Sequence, residues 1–174
     1  MTDPRPLDEA TPLPDHPPGA ILRCDSDLLG VLVTHDWRKL IAIKPIAAGK
    51  KVFTLVGRET PIPTRYSIQV GPSLHVDQDD AHDPSEIVRR YFWRYMDHAC
   101  DPATLIRHRA VIARRDIAAG EALTFNYNTT EYDMAEPFRC HCESALCVGL
   151  VRGARYLTPG QRALIEDWLA DYLR

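Results

Sequence analysis

Three cysteines crowd into eight residues, Cys140-His141-Cys142-Glu143-Ser144-Ala145-Leu146-Cys147. No other feature restricts the chain as much. Two thiols one residue apart cannot easily both reach distant disulfide partners, but they readily face one tetrahedral ion. Cys24 and Cys100 lie upstream, five cysteines in all. The odd count argues against a disulfide framework, as does the acidic, proline-rich start Met1-Thr2-Asp3-Pro4-Arg5-Pro6, which is unlike an export signal. Metal is therefore expected at the cluster, and the cytoplasm is the expected compartment.

Composition excludes several classes. At 174 residues, 45% hydrophobic and 26% charged, the chain reads as one folded domain with a small appendage. No uncharged apolar run approaches ~20 residues, so no membrane span is expected. Twenty-four acids against 21 lysines and arginines leave a net charge of −3, which gives no footprint for direct nucleic-acid binding. The basic pairs Arg89-Arg90, Arg107-His108-Arg109 and Arg114-Arg115 read as solvated faces.

Six of the 14 prolines fall in residues 1–18, which read as a flexible tail. Short apolar runs of strand length follow: 20–23, 30–34, 40–43, 51–56, 65–70, 110–113 and 122–127. Asp77 to Asp83 reads as an acidic loop. A short helix is expected from Pro84, capped by Asp83, and a second from Gln161 to Tyr172 behind a Thr158/Gln161 capping box. In the second, Leu164, Ile165, Trp168, Leu169 and Tyr172 form an apolar stripe suited to packing. One echo stands out: Ile46-Ala47-Ala48-Gly49-Lys50 and Ile117-Ala118-Ala119-Gly120-Glu121 match at four positions, 71 residues apart. Each reads as a turn with glycine at positive φ, which suggests two similar hairpins.

Three stretches, the cysteine cluster among them, carry a family resemblance. Arg94-Tyr95-Met96-Asp97-His98-Ala99-Cys100-Asp101-Pro102 resembles the R-F-x-N-H-S-C-x-P-N motif of SET-domain methyltransferases. Residues 113–127, from Ala113-Arg114-Arg115-Asp116-Ile117 to Leu123-Thr124-Phe125-Asn126-Tyr127, look like the family's A-x-R-D-I-x-x-G-E-E-L-T-F-D-Y. Cys140 to Gly149 is similar to the post-SET C-x-C-G-S-x-x-C-x-G. The resemblance spans about residues 20–150. It implies a mainly β fold: several small β-sheets with a pseudoknot, a zinc-binding post-SET loop and, here, a C-terminal α-helix. The implied divisions are a tail over 1–18, a SET domain over 19–130, a post-SET module over 131–152 and the helix over 153–174.

The resemblance also implies S-adenosylmethionine as methyl donor and an amine as acceptor, either a protein lysine or a small-molecule amine. Structural zinc would sit on Cys100, Cys140, Cys142 and Cys147, since four thiolates close a tetrahedral site. Tyr127 falls at the family's catalytic tyrosine. Methyl transfer needs a neutral amine in line with the methyl–sulfur bond, and a tyrosine hydroxyl can orient that amine without acting as nucleophile. Phe125 and Tyr95 would wall the substrate channel; a phenylalanine at 125 lacks the hydroxyl that holds a water, favouring more than one methyl per amine. Asp97 and His98 would grip the cofactor, although Asp97 stands where the family has asparagine.

The family's N-terminal G-x-G, which lets backbone approach the cofactor, falls in register on Trp37, Arg38 and Lys39. Bulky residues there support an alternative. In it, a SET-like protein with a lost or repurposed cofactor pocket binds a partner protein, or works in a heteromeric complex on a small amine.

Overall fold

The computed structural model describes residues 16–79 and 83–174. Most of the tail expected over 1–18 lies outside the described residues. The first half runs β1 (Ile21–Arg23), β2 (Leu29–Val33), β3 (Arg38–Ala42), β4 (Lys51–Thr54), β5 (Arg58–Thr60), β6 (Ile68–Gly71), β7 (Leu74–Asp77) and α1 (Pro84–Arg90). The second half runs β8 (Asp97–His98), β9 (Thr104–Arg107), β10 (Ala110–Ala113), β11 (Thr124–Phe125), β12 (Phe138–Arg139), β13 (Leu150–Val151) and α2 (Pro159–Leu164). The strands form five small sheets, in the orders β1-β2-β3, β4-β10-β9, β5-β7-β6, β11-β8 and β12-β13. The fold is mainly β, as expected.

Short strands each bury little, so the sheets must share one core. Leu29, Val31 and Leu40 supply it from one sheet, Val111 from a second, and Ile46, Ile117 and Leu123 from the segments between strands, closed by Tyr91 and Trp93 after α1. Asp83 caps α1 by accepting from the Ser85 amide, with Pro84 in the first turn. The β8–β11 pair is parallel, with Thr124 opposite Asp97 and Phe125 opposite His98. The motif segments 94–102 and 113–127 are thereby held side by side.

The echoed turns do more than resemble each other, because they pair. Ile46 and Ile117 exchange backbone hydrogen bonds in both directions, each 2.9 Å. The Gly49 amide reaches the Ala113 carbonyl at 2.8 Å, and the Gly120 amide reaches that of Ala42 at 2.7 Å. Both glycines have positive φ, 77° and 86°, as such a turn requires.

The C-terminal helix is shorter than the sequence suggests. The Thr158/Gln161 capping box forms, but α2 ends at Leu164 and gives way to 3-10 turns at Glu166–Trp168 and Asp171–Leu173. Arg107 holds the segment that follows. Its guanidinium donates to the carbonyls of Asp167, Trp168 (2.7 Å) and Leu169 (3.1 Å). A continuing α-helix would need those carbonyls for its own amides. Ile165, Leu169 and Leu173 stay buried, while Leu164 is 61% exposed. Arg107 is thus no solvated cation. The other basic pairs do lie at the surface, with Arg89 on Asp25, Arg114 on Asp101 and Arg115 on Glu121. Arg107→Ala is expected to lower unfolding free energy by about 2 kcal/mol, the scale of lost charge-assisted hydrogen bonds. Urea denaturation checks this; a loss under ~0.5 kcal/mol, within ordinary surface variation, would mean that these bonds do little to hold the C-terminal turns.

Candidate functional site: a tyrosine-walled cavity beside four thiols

A cavity of about 370 Å³ opens beside the parallel β8–β11 pair, lined by Trp93, Met96, Phe125, Tyr127, Glu131 and Phe138 among others. Tyr127 begins the 3-10 turn Tyr127–Thr129 directly after β11, entered through Asn126. The Asn126 side chain accepts from the Asn128 amide at 3.1 Å and donates to the Cys100 carbonyl at 3.3 Å. That second bond needs an amide, which gives a physical reason for asparagine where the family has aspartate.

Tyr127 is fixed at three points. Its hydroxyl donates to the Met96 carbonyl at 2.8 Å. Its backbone amide donates to His98 Nδ1 at 3.2 Å. Its ring stands edge-on to His98 and Phe138, with centroids 5.2 and 5.8 Å apart. Because the hydroxyl proton is directed to Met96, the oxygen turns lone pairs toward its surroundings.

His98 links this tyrosine to the thiols. An amide can only donate, so Nδ1 accepts and the ring proton sits on Nε2, which faces Cys100 Sγ at 3.2 Å. His98 therefore uses both ring nitrogens inside the protein.

The four expected cysteines come together. The Sγ atoms of Cys100, Cys140, Cys142 and Cys147 all lie within 4.8 Å of one another. Tetrahedral thiolates ~2.3 Å from a zinc stand about 3.8 Å apart, and the Cys100–Cys140 separation is 3.9 Å. The donor set and spacing fit a metal. Burial raises the Cys100 thiol and pushes Cys140 up to about 12. At Cys142 burial also acts upward, but hydrogen bonds from the Ser144 and Cys100 backbone and from neighbouring thiols outweigh it and bring Cys142 down to about 7. Cys24 stands apart, half-buried, with burial raising it to about 11.

Other expected site residues fall outside the cavity wall. Tyr95 packs against the main core rather than lining the cavity. Asp97 pairs with Thr124 in the two-stranded sheet. Trp37 closes the turn between β2 and β3, where its amide donates to the Thr34 hydroxyl. Arg38 and Lys39 begin β3, and Lys39 Nζ lies 5.4 Å from the Trp37 ring centre. None of these three lines the cavity. The sequence reading missed Glu131, Trp93 and Phe138. Glu131 had a usable signal: it stands four residues after Tyr127, one helical turn on.

Small sheets around one core, a parallel two-strand junction, and a cavity whose tyrosine is tied through a histidine to four clustered thiols define a narrow class of domain. The SET domain family model matches residues 37–128, beginning at the register position of the glycine motif. Methyltransferase flvH of Aspergillus flavus is 32% identical over 145 residues, 81% of this chain and 73% of that protein. The H3 lysine-36 specific histone-lysine N-methyltransferase of Saccharomyces cerevisiae is 31% identical over 68 residues, 34% of this chain but 9% of that protein. KRYPTONITE in complex with mCHH DNA, H3(1-15) peptide and SAH superposes with a TM-score of 0.53 at 19% identity, over 71% of this chain and 29% of that one, a likeness of fold. The chain belongs to the SET-domain family. No helix among the described residues is long and apolar enough to cross a membrane.

Proposed function

We propose that the chain transfers a methyl group from S-adenosylmethionine to an amine, with a protein lysine as the first acceptor to test. The observation that carries this reading is the placement of Tyr127, whose hydroxyl is held by Met96 on a cavity shared with Phe125 and Phe138. S-adenosylmethionine supplies an electrophilic methyl. The chain's own task is to hold a neutral amine in line with it. With its proton committed, the Tyr127 oxygen accepts an amine N–H and so directs the nitrogen lone pair. Phe125 keeps that neighbourhood apolar, which disfavours the charged amine. Asp97 and the backbone at His98 are assigned to the cofactor's amino-acid end, and Trp37, Arg38 and Lys39 to the place of the missing glycines. Zinc on Cys100, Cys140, Cys142 and Cys147 supplies a structural cross-link that pins β12 and β13 beside the cavity.

The same three bulky residues favour a second reading, a binding protein that no longer holds the donor. Calorimetry with S-adenosylmethionine separates the two. Binding in the micromolar range, with labelled methyl recovered on an amine by mass spectrometry of donor-treated cell extract, supports the enzyme. Absence of any binding heat makes the binding-protein reading the surviving one.

A further inference from the structure

Residues 153–174 lie beyond the stretch that the SET domain family model matches, and the methyl-transfer scheme gives them no role. They are nonetheless well held. Ile165, Leu169 and Leu173 are buried with Ala154 in a small core of their own. From that core the segment reaches the turn that begins at Tyr127. Three successive carbonyls after the tyrosine accept from it: Thr129 from the Ala170 amide at 2.8 Å, Thr130 from the Tyr172 hydroxyl at 2.9 Å, and Glu131 from the Ala154 amide at 2.7 Å. Thr129 and Thr130 are 2% and 1% exposed, so water is poorly placed to replace those donors.

Two of these anchors act directly on Tyr127. The amides of Thr130 and Glu131 both donate to the Tyr127 carbonyl, at 3.2 and 2.8 Å. The Thr129 carbonyl and the Thr130 amide belong to one planar peptide, and the Thr130 carbonyl and the Glu131 amide to the next. Each plane is therefore gripped at one end by the C-terminal segment and at the other by Tyr127. The Tyr172 hydroxyl also lies 2.7 Å from the Gln69 carbonyl on β6. Burial, and then Glu131, raise that hydroxyl, so it stays protonated and its one proton serves the two carbonyls in turn. Gln69 follows Ile68, which lines the cavity together with Tyr127. The Gln69 amide donates to Glu131 Oε1, and its side-chain oxygen accepts from the Tyr132 amide, each at 2.8 Å.

We propose that Tyr172 and the Ala170 amide position Tyr127 for methyl transfer, by clamping the two peptides that follow the tyrosine and tying them to β6. The inference rests on the methyl-transfer reading. Tyr172 does not line the cavity, so it is a positioning residue. The acceptor nitrogen must sit in line with the methyl–sulfur bond, and a displacement of about 1 Å in the group that orients it costs on the order of a hundredfold.

The test compares the full-length wild type with Tyr172→Phe, Ala170→Pro and Ile87→Val. Tyr172→Phe keeps the ring and removes the hydroxyl. Ala170→Pro deletes the amide hydrogen where proline fits, since Ala170 has φ −61° and Leu169 before it is extended. Ile87, 1% exposed in α1, supplies a destabilised control away from the cavity. Hydrogen exchange by NMR reads the amides of Thr130 and Glu131 against that of buried Val111 in the same protein. In the wild type they should be protected like Val111. In both anchor variants they should exchange about tenfold or more faster relative to Val111, and in Ile87→Val that ratio should hold. Turnover is followed with S-adenosylmethionine and Nα-acetyl-lysine amide as the amine probe. The anchor variants should lose about tenfold or more in kcat, with KM for S-adenosylmethionine within about twofold, whereas Ile87→Val keeps its kcat. Anchor variants that match Ile87→Val in kcat overturn the proposal, and so does an unchanged exchange ratio. If the wild type transfers no methyl, the enzyme reading fails by itself, and exchange still decides whether the C-terminal segment clamps the turn. Thr130 and Glu131 amides that exchange in the wild type as fast as an open loop overturn the proposal without any variant.

Discussion

Tyr127→Phe is expected to cut turnover on the order of a hundredfold, the effect of one positioned polar group at a reacting centre, while the dissociation constant for S-adenosylmethionine stays nearly unchanged. The substitution keeps the ring and its edge contacts with His98 and Phe138. It removes only the hydroxyl, leaving the carbonyl of Met96, a residue 3% exposed, without its donor. One buried acceptor left unpaired costs about 1–3 kcal/mol of stability, so a modest drop in melting temperature accompanies the kinetic loss. The two effects separate by steady-state kinetics well below the melting point: kcat and kcat/KM should fall together, the signature of an interaction made in the transition state. A variant with wild-type kcat would reduce Tyr127 to a packing residue.

Cys142→Ser is expected to empty the metal site and loosen the C-terminal segment, with Cys24→Ser as a silent control. Metal analysis of the wild type should give about one zinc per chain, with Zn–S near ~2.3 Å by X-ray absorption. Cys142 is exposed, so its replacement tests the ligand set with little disturbance to packing. Without the metal, residues 136–150 retain a two-residue pairing between β12 and β13 and little core of their own. Proteolysis should therefore begin there, and chelator should reproduce the pattern in the wild type. The link from Cys100 through His98 to the Tyr127 amide means that the tyrosine is disturbed as well. A metal-free wild type that resists protease would sink the zinc assignment.

Local signals in the sequence carried much of this architecture. Asp83-Pro84 and Thr158…Gln161 are capping chemistry written within four residues, and both helices begin where they indicate. The three clustered thiols were legible from their spacing, and Cys100 joined them only through the family resemblance; the structure brings all four together. Long-range effects were not legible. Arg107 looked like part of a basic run, and only the tertiary structure shows that it takes carbonyls some 60 residues away. Strands β5, β7 and β9 (Arg58–Thr60, Leu74–Asp77 and Thr104–Arg107) escaped because polar residues leave them no apolar run, whereas the equally short β1 and β10 have one. Glu131 looked like one acid among 24. Its burial follows from Gln69, whose amide donates to it and whose side-chain oxygen accepts from the Tyr132 amide.

The mutual pairing of the two echoed turns sets the order in which this chain can assemble. Neither turn has its partner until both are present, and β4 lies unpaired until β10 arrives, with Thr54 opposite Ala110. During synthesis the first hundred residues therefore wait with an open strand edge. Closing so large a loop costs entropy before any contact repays it. Pairing at this sequence distance is expected to slow folding relative to a chain of local contacts, and the waiting β4 edge is where a nascent chain would meet another.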